Sequence, residues 1–310
     1  MILRASRVAV ATILVGTVTA SADPPREAPT EIELDRAEPS AGRTELGFDG
    51  GAPIEGWGVT VAAGWLEHPL ALPGSAGGLL PVRRRETGSL GGALALGTSV
   101  VVDARLAFAH QVGDRLRGQG DPRPLDRWVP GDLRIGTRLR VAGSAARAVF
   151  VRGDLTLPTG DELDFSGDPS WSLAWRLIGR ATLPHGIVVA ATAGIRFRGE
   201  EVIVADRLVG NEVLAATGFA VPIPPIRPLW CVADQVKLTA EISGVLGDDV
   251  GMGRGPSPAE VRLGVVTRPL PSVTLGVRAG AGLSDQIGAP RARVTLELTY
   301  QAAPTTSSRR

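Results

Sequence analysis

The side chains best placed to do chemistry in this sequence are arginines set two residues apart. In GDLRIGTRLRV, residues 131–141, Arg134, Arg138 and Arg140 share one parity with Asp132 and Gly136. Guanidinium groups at that spacing bind or select anions. They are poor acid–base catalysts, because arginine stays protonated. The common catalytic patterns are missing: the sequence holds no G-x-S-x-G, H-E-x-x-H, P-loop or G-x-G-x-x-G. His68, His110 and His185 fall in or beside different connections, and the single asparagine, Asn211, lies far from His110. No serine is placed to pair with His110, which argues against a Ser–His–Asn lipase arrangement. Cys231 is the only cysteine, so neither an intramolecular disulfide nor a Cys-rich zinc site is possible. Asp248 and Asp249 in GDDVGMGRGPSP could hold a divalent cation, but acidic turn residues are more often simply solvated. The expectation is therefore no catalytic residue, no metal and no cofactor.

The elements that carry these arginines read as strands. Leu133, Ile135, Thr137, Leu139 and Val141 alternate with the charged set, and a strand places successive side chains on opposite faces. The last segment repeats the pattern. Val294, Leu296, Leu298 and Tyr300 face one way, and Arg291, Arg293, Thr295, Glu297 and Thr299 face the other. About twelve such strands are expected, near 56–66, 88–97, 99–110, 131–142, 146–157, 170–183, 187–199, 211–221, 236–246, 259–269, 272–283 and 291–300. At about ten residues each they are long enough to cross a bilayer core when tilted. Tight turns such as Gly97-Thr98-Ser99 and Pro184-His185-Gly186 alternate with longer loops around 67–87, 111–130, 158–169, 200–210, 247–258 and 284–290. Only residues 222–235, PIPPIRPLWCVADQ, break that alternation. An even strand count puts both barrel ends on one side, the periplasmic one if the short turns are periplasmic.

Two N-terminal segments stand apart. Arg4 and Arg7 precede an apolar run over 8–18, which ends in Ala20-Ser21-Ala22. This predicts a secretory signal peptide, residues 1–22, cut after Ala22. No later apolar stretch is long enough for a transmembrane helix. Residues 23–55 carry nine acids against Arg26, Arg36 and Arg43, and five prolines. They read as a mobile, solvated periplasmic segment. Residues 301–310 read as a C-terminal tail.

Alternation also occurs in soluble sandwiches, so the choice of solvent rests on other features. The apolar faces carry almost no charge. Their aromatics gather near strand ends, with Trp57, Phe219 and Tyr300 at the periplasmic end and Trp65, Phe108, Trp171, Trp175 and Phe197 toward the outer end. Girdles at the two membrane interfaces produce that distribution. Closing the sheet pairs every backbone group, as lipid requires. The fold expected is all-β, a transmembrane antiparallel up-and-down barrel over residues 56–300.

The charged face then lines the lumen. It holds Arg105, Arg134, Arg138, Arg140, Arg152, Arg176, Arg180, Arg196, Arg198, Lys237, Arg262, Arg268, Arg278, Arg291 and Arg293, against Asp103, Asp132, Asp154, Glu212, Glu241, Glu260 and Glu297. Two arrangements tolerate that charge: a water-filled, anion-preferring pore, or ion-pair ladders between strands of a closed barrel. Because residues 23–55 are acidic and the lumen basic, the segment could also fold back as a removable plug. The net charge of +1 gives no case for nucleic-acid binding.

The strand-to-loop run LPTGDELDFSGDPS, residues 157–170, resembles the "LPTGD … F.G" signature of the outer-membrane transporter family named after the phenol-degradation meta-pathway. GDLRIG, 131–136, and SDQIGAP, 284–290, are similar to that group as well, as are the barrel portions of some OmpA-type proteins. The resemblance implies a channel for small, often hydrophobic, solutes, and no catalytic residue. Within the signature, Pro158 ends the strand, Gly160 permits a turn, and Asp161, Asp164 and Asp168 are expected exposed at the outer mouth. OmpA-type proteins continue into a peptidoglycan-binding domain. Here the sequence runs ten residues past Tyr300, so no wall anchoring is expected.

The sequence therefore reads as an outer-membrane channel for passive or gated passage of small solutes. Membrane lipid, lipopolysaccharide and the outer-membrane assembly machinery are its expected partners. A closed structural barrel presenting its loops is the first alternative, and a soluble secreted β-domain that binds a ligand is the second.

Overall fold

In the computed structural model the described residues are 26–27, 46–52, 56–70, 81–114, 125–144, 146–204, 207–223, 236–247, 257–284 and 288–302. The signal peptide, Cys231 and the Asp248–Asp249 pair lie outside them, as do most of the 222–235 connection and the final residues.

Twelve strands form one closed antiparallel barrel. They are β1 Trp57–Leu70, β2 Val82–Leu96, β3 Val100–Gly113, β4 Leu125–Gly143, β5 Arg147–Leu157, β6 Ser172–Thr182, β7 Val188–Arg198, β8 Glu212–Ile223, β9 Val236–Gly247, β10 Ala259–Leu270, β11 Val273–Gly282 and β12 Ala292–Gln301. Each pairs with its neighbours in sequence. β12 closes on β1 from Ala292 opposite Glu67 to Gln301 opposite Gly58. Both barrel ends therefore sit at the short-turn end, where the Ala302 N–H donates to the Trp57 carbonyl at 2.9 Å.

Four strands run further than their apolar alternation predicts. β1 continues to Leu70 and β3 to Gly113, while β2 begins at Val82 and β4 at Leu125. The run Arg83-Arg84-Arg85-Glu86 hides the period in β2. In β4, Pro130 has no N–H to give the ladder, and a register shift lies between its pairing with Phe108 and that of Leu133 with Leu106. These extensions raise one side of the barrel at the loop end.

Polarity is inverted relative to a water-soluble core. Outward Leu263 is 63% exposed and Leu177 56%, whereas inward Arg293 is 2% and Arg138 2% exposed. Alternation with apolar side chains out and charged ones in is the pattern of a membrane barrel. No helix among the described residues is long and apolar enough to cross a membrane, which says nothing of strands. A separate three-stranded sheet joins Val202–Val204 and Arg207–Val209, both in the β7–β8 connection, to Arg26–Glu27. Residues 26–27 thus meet the loop end, although β1 starts at the turn end.

Candidate functional site: the barrel interior

The inward arginines form ladders across strands. Arg152 on β5 reaches both Asp103 carboxylate oxygens on β3, at 2.8 and 2.9 Å, and its Nε donates to Asp154 at 2.8 Å. Asp154 also accepts from Arg176 on β6. On the other wall, Arg278 on β11 bridges Glu241 on β9 at 3.2 Å and Glu297 on β12 at 3.0 Å, and Arg262 lies 3.4 Å from Glu241. Toward the loop end, Arg293 pairs with Glu260 at 3.0 Å, Arg198 with Asp168 at 2.5 Å, and Arg196 approaches Glu212 at 3.9 Å. Arg105 donates to Ser89 at 2.7 Å. Arg134, Arg140 and Arg180 are half-buried on the same inner face. Arg291 departs from its expected place: it precedes β12 and is exposed. A buried charge needs this kind of pairing, because losing water costs each ion several kcal/mol.

Residues 46–52 lie inside the barrel, and all seven are buried. This corrects the expectation of a solvated segment for that part of 23–55. The Gly47 N–H donates to Glu241 at 2.7 Å. Asp49 is gripped by two arginines: Arg138 donates to one carboxylate oxygen at 2.8 Å, and Arg152 lies 3.2 Å from the other. Arg138 also donates to the Ala52 carbonyl at 2.6 Å, and its guanidinium sits 5.1 Å from the centre of the Phe150 ring. Phe48 packs with Leu46 into an apolar recess of Val188, Ala190, Ala216 and Ala220 on β7 and β8. Gly51 has φ +68° and touches Phe150 so closely that an added Cβ would stand 2.6 Å from the ring.

The loop after β5 also folds inward, which corrects a second expectation. Asp164 and Asp168 were expected at the exposed mouth and are 1% and 4% exposed. Asp161 is half-buried and bonds Arg127 at 2.8 Å. Asp132 on β4 holds the loop at both ends, accepting from the Gly160 N–H at 2.9 Å and the Asp168 N–H at 2.8 Å. Gly160 and Gly167 pack backbone to backbone, with a Cβ on Gly160 falling 2.5 Å from the Ser166 carbonyl oxygen. Close approach thus explains the glycines of the signature. Between them Phe165 turns down, in a left-handed conformation at φ 54°, into a cluster with Leu70, Val82, Leu125, Val202 and Val209. Arg85 donates to the Phe165 carbonyl at 2.7 Å, and Gln111 bonds the Asp164 carbonyl.

All eight expected girdle aromatics, Trp57, Trp65, Phe108, Trp171, Trp175, Phe197, Phe219 and Tyr300, are exposed on the outer surface. Trp57 and Tyr300 pair at 5.6 Å across the β1–β12 seam. Trp128, placed in a loop by the sequence pattern, joins them, 6.0 Å from Phe108. Sequence reasoning also missed Arg85, Gln111 and Arg127, for the same reason: they sit on strand extensions read as loops.

Among the described residues, the charged residues that are buried as a whole number eight arginines and ten carboxylates. Three of the carboxylates, Asp49, Asp164 and Asp168, come from the inserted segment and the loop rather than from the wall. Acids that the chain folds into the lumen thus meet part of its expected positive excess.

No protein-family model and no curated protein matches the sequence. Among solved structures, an outer-membrane channel from Pseudomonas putida F1 aligns with 83% of this chain and 99% of its own, with a TM-score of 0.58 at 13% identity. The NanC porin aligns with 79% of this chain and all of its own, with a TM-score of 0.50 at 5% identity. At such identities the likeness is one of fold.

Proposed function

We propose that this chain is an outer-membrane channel for small solutes, held closed by residues 46–52. The observation that carries the reading is the way this segment sits. It lies inside a closed barrel yet joins neither sheet. Its anchors are side chains of the wall: Arg138, Arg152, Glu241 and Arg262. A segment docked in this way can leave without unpicking any strand ladder. When it does, Asp49 goes with it, and the lumen becomes more basic and prefers anions. Export by residues 1–22, lipid and lipopolysaccharide around the aromatic girdles, and assembly through the last strand, which carries Tyr300 near its end, complete the reading. The finer resemblance, to the phenol-degradation meta-pathway transporter type, belongs to this proposal and agrees with an apolar recess in the lumen.

The ladders favour a second reading, a closed structural barrel stiffened by its ion pairs. Planar-bilayer conductance separates the two. The chain from residue 23 onward and a variant lacking 23–55 are compared after heat-shifted gel mobility verifies folding. The variant is expected to conduct in larger, anion-selective steps. A folded variant that stays silent supports the structural barrel and overturns the channel.

A further inference from the structure

The grip on residues 46–52 has the chemistry of an occupied binding site. Each Asp49 carboxylate oxygen has its own guanidinium, Arg138 at 2.8 Å and Arg152 at 3.2 Å. One residue earlier, the Phe48 ring fills the recess of Val188, Ala190, Ala216 and Ala220. Gly218 on β8 leaves room for that ring, since a Cβ there would stand 3.1 Å from its edge. Two consecutive residues thus fill a cationic site and a neighbouring apolar one, and both sites belong to the barrel wall.

The charge balance says what should replace them. With Asp49 in place, Arg138, Arg152 and Arg176 face Asp49, Asp103 and Asp154. Without it, three cations face two carboxylates on the wall that the segment had covered. A confined wall with unmatched positive charge gathers anions, so departure of the segment is favoured by an anion that takes the carboxylate's place. A neutral solute can fill the recess but does not replace the lost negative charge. An inorganic anion meets the arginines but leaves the recess unfilled.

We infer that residues 46–52 stand in for the transported solute, and that this solute is a small organic carboxylate with an apolar portion. It binds Arg138 and Arg152 in place of Asp49, with its apolar portion in the Phe48 recess. A ligand shifts an equilibrium only by its difference in affinity for the two states. This one binds only where Asp49 has left, so it opens the channel by competition. The inference rests on the channel reading above.

The test uses the chain from residue 23 onward in planar bilayers, in chloride at neutral pH, with hexanoate as probe and hexanamide as its uncharged counterpart. Hexanoate is expected to raise the open fraction roughly tenfold over equal hexanamide, in a saturable way. Arg138→Gln should abolish the difference. The variant lacking 23–55 gives a second readout that does not depend on the segment: hexanoate should block its chloride current, hexanamide should not, and Arg138→Gln should relieve the block. If that variant conducts but treats both probes alike, the carboxylate inference is overturned and the channel stands. If it is folded and silent, the channel reading itself has failed.

Discussion

Two pieces of chain fill this barrel, one in each half; both combine ion pairs with apolar packing, but they are tethered differently. In the turn half, residues 46–52 are clasped by side chains, with Asp49 between Arg138 and Arg152 and with Leu46 and Phe48 packed in one apolar recess. At the loop end, residues 158–171 are tied at both ends to β5 and β6. Their backbone is pinned by Asp132, and Phe165 packs among five apolar side chains. Burying one such side chain stabilises by about 1.5–3 kcal/mol and does not respond to charge in solution. A clasp of ions does respond, because another ion can take either partner. On the channel reading proposed above, the turn-half segment is the displaceable part, and the loop-end cluster is a rim that shapes the mouth.

The comparison breaks most visibly at its ionic side. With Cys231→Ser removing the native thiol and Ala52→Cys supplying a reporter thiol, labelling by a water-soluble maleimide reads how often the segment opens. Removing one partner of a buried ion pair costs about 3–5 kcal/mol. Asp49→Ala should therefore speed labelling by roughly two orders of magnitude or more. An unchanged rate would mean that Phe48, not the clasp, holds the segment. Phe165→Ala should cost about 3–5 kcal/mol at the rim. Its expected sign is protease nicking within 158–169 while labelling of the reporter thiol stays at its starting rate. A joint rise would show one cooperative unit instead of two closures. Gly51→Ala is milder. The φ of +68° and the Phe150 ring both oppose a Cβ, at a cost of about 1–2 kcal/mol. Labelling should rise roughly tenfold with the rim intact.

How much of this was legible in the sequence follows the same division. The wall was legible wherever apolar and charged residues alternate cleanly, as in residues 131–141 and 291–300, because the strand period alone assigns each side chain a face. It failed where charge runs unbroken, at Arg83-Arg84-Arg85-Glu86, and where Pro130 interrupts a strand. Arg85 and Trp128 were lost there, and Gln111 with the end of β3 that pairs with them. The segment 23–55 was legible only as complementary charge. Nothing local distinguishes Asp49 from the eight other acids, since its partners lie 89 and 103 residues away on different strands. The loop after β5 was misread for the opposite reason. Asp164 and Asp168 look like ordinary solvated turn acids, and Arg127 and Arg198, brought over by folding, help make their burial tolerable.

Salt gives the smallest and most discriminating effect. Raising ionic strength from 0.1 to 1 M shortens the screening length from about 10 to about 3 Å. Chloride also becomes abundant enough to compete for Arg138 and Arg152. Both changes weaken the clasp, while high salt leaves apolar packing intact or strengthens it. Labelling of the reporter thiol should accelerate a few-fold in sodium chloride and not in sucrose of equal osmolarity. Nicking of 158–169 should respond less, because that loop stays tied to β5 and β6 when its ion pairs with Arg127 and Arg198 loosen. Acceleration of both would place the two pieces under one electrostatic control. Acceleration of neither would mean that Asp49 is sealed from small anions, and the segment would then have to leave by a route that does not begin with exchange at its carboxylate.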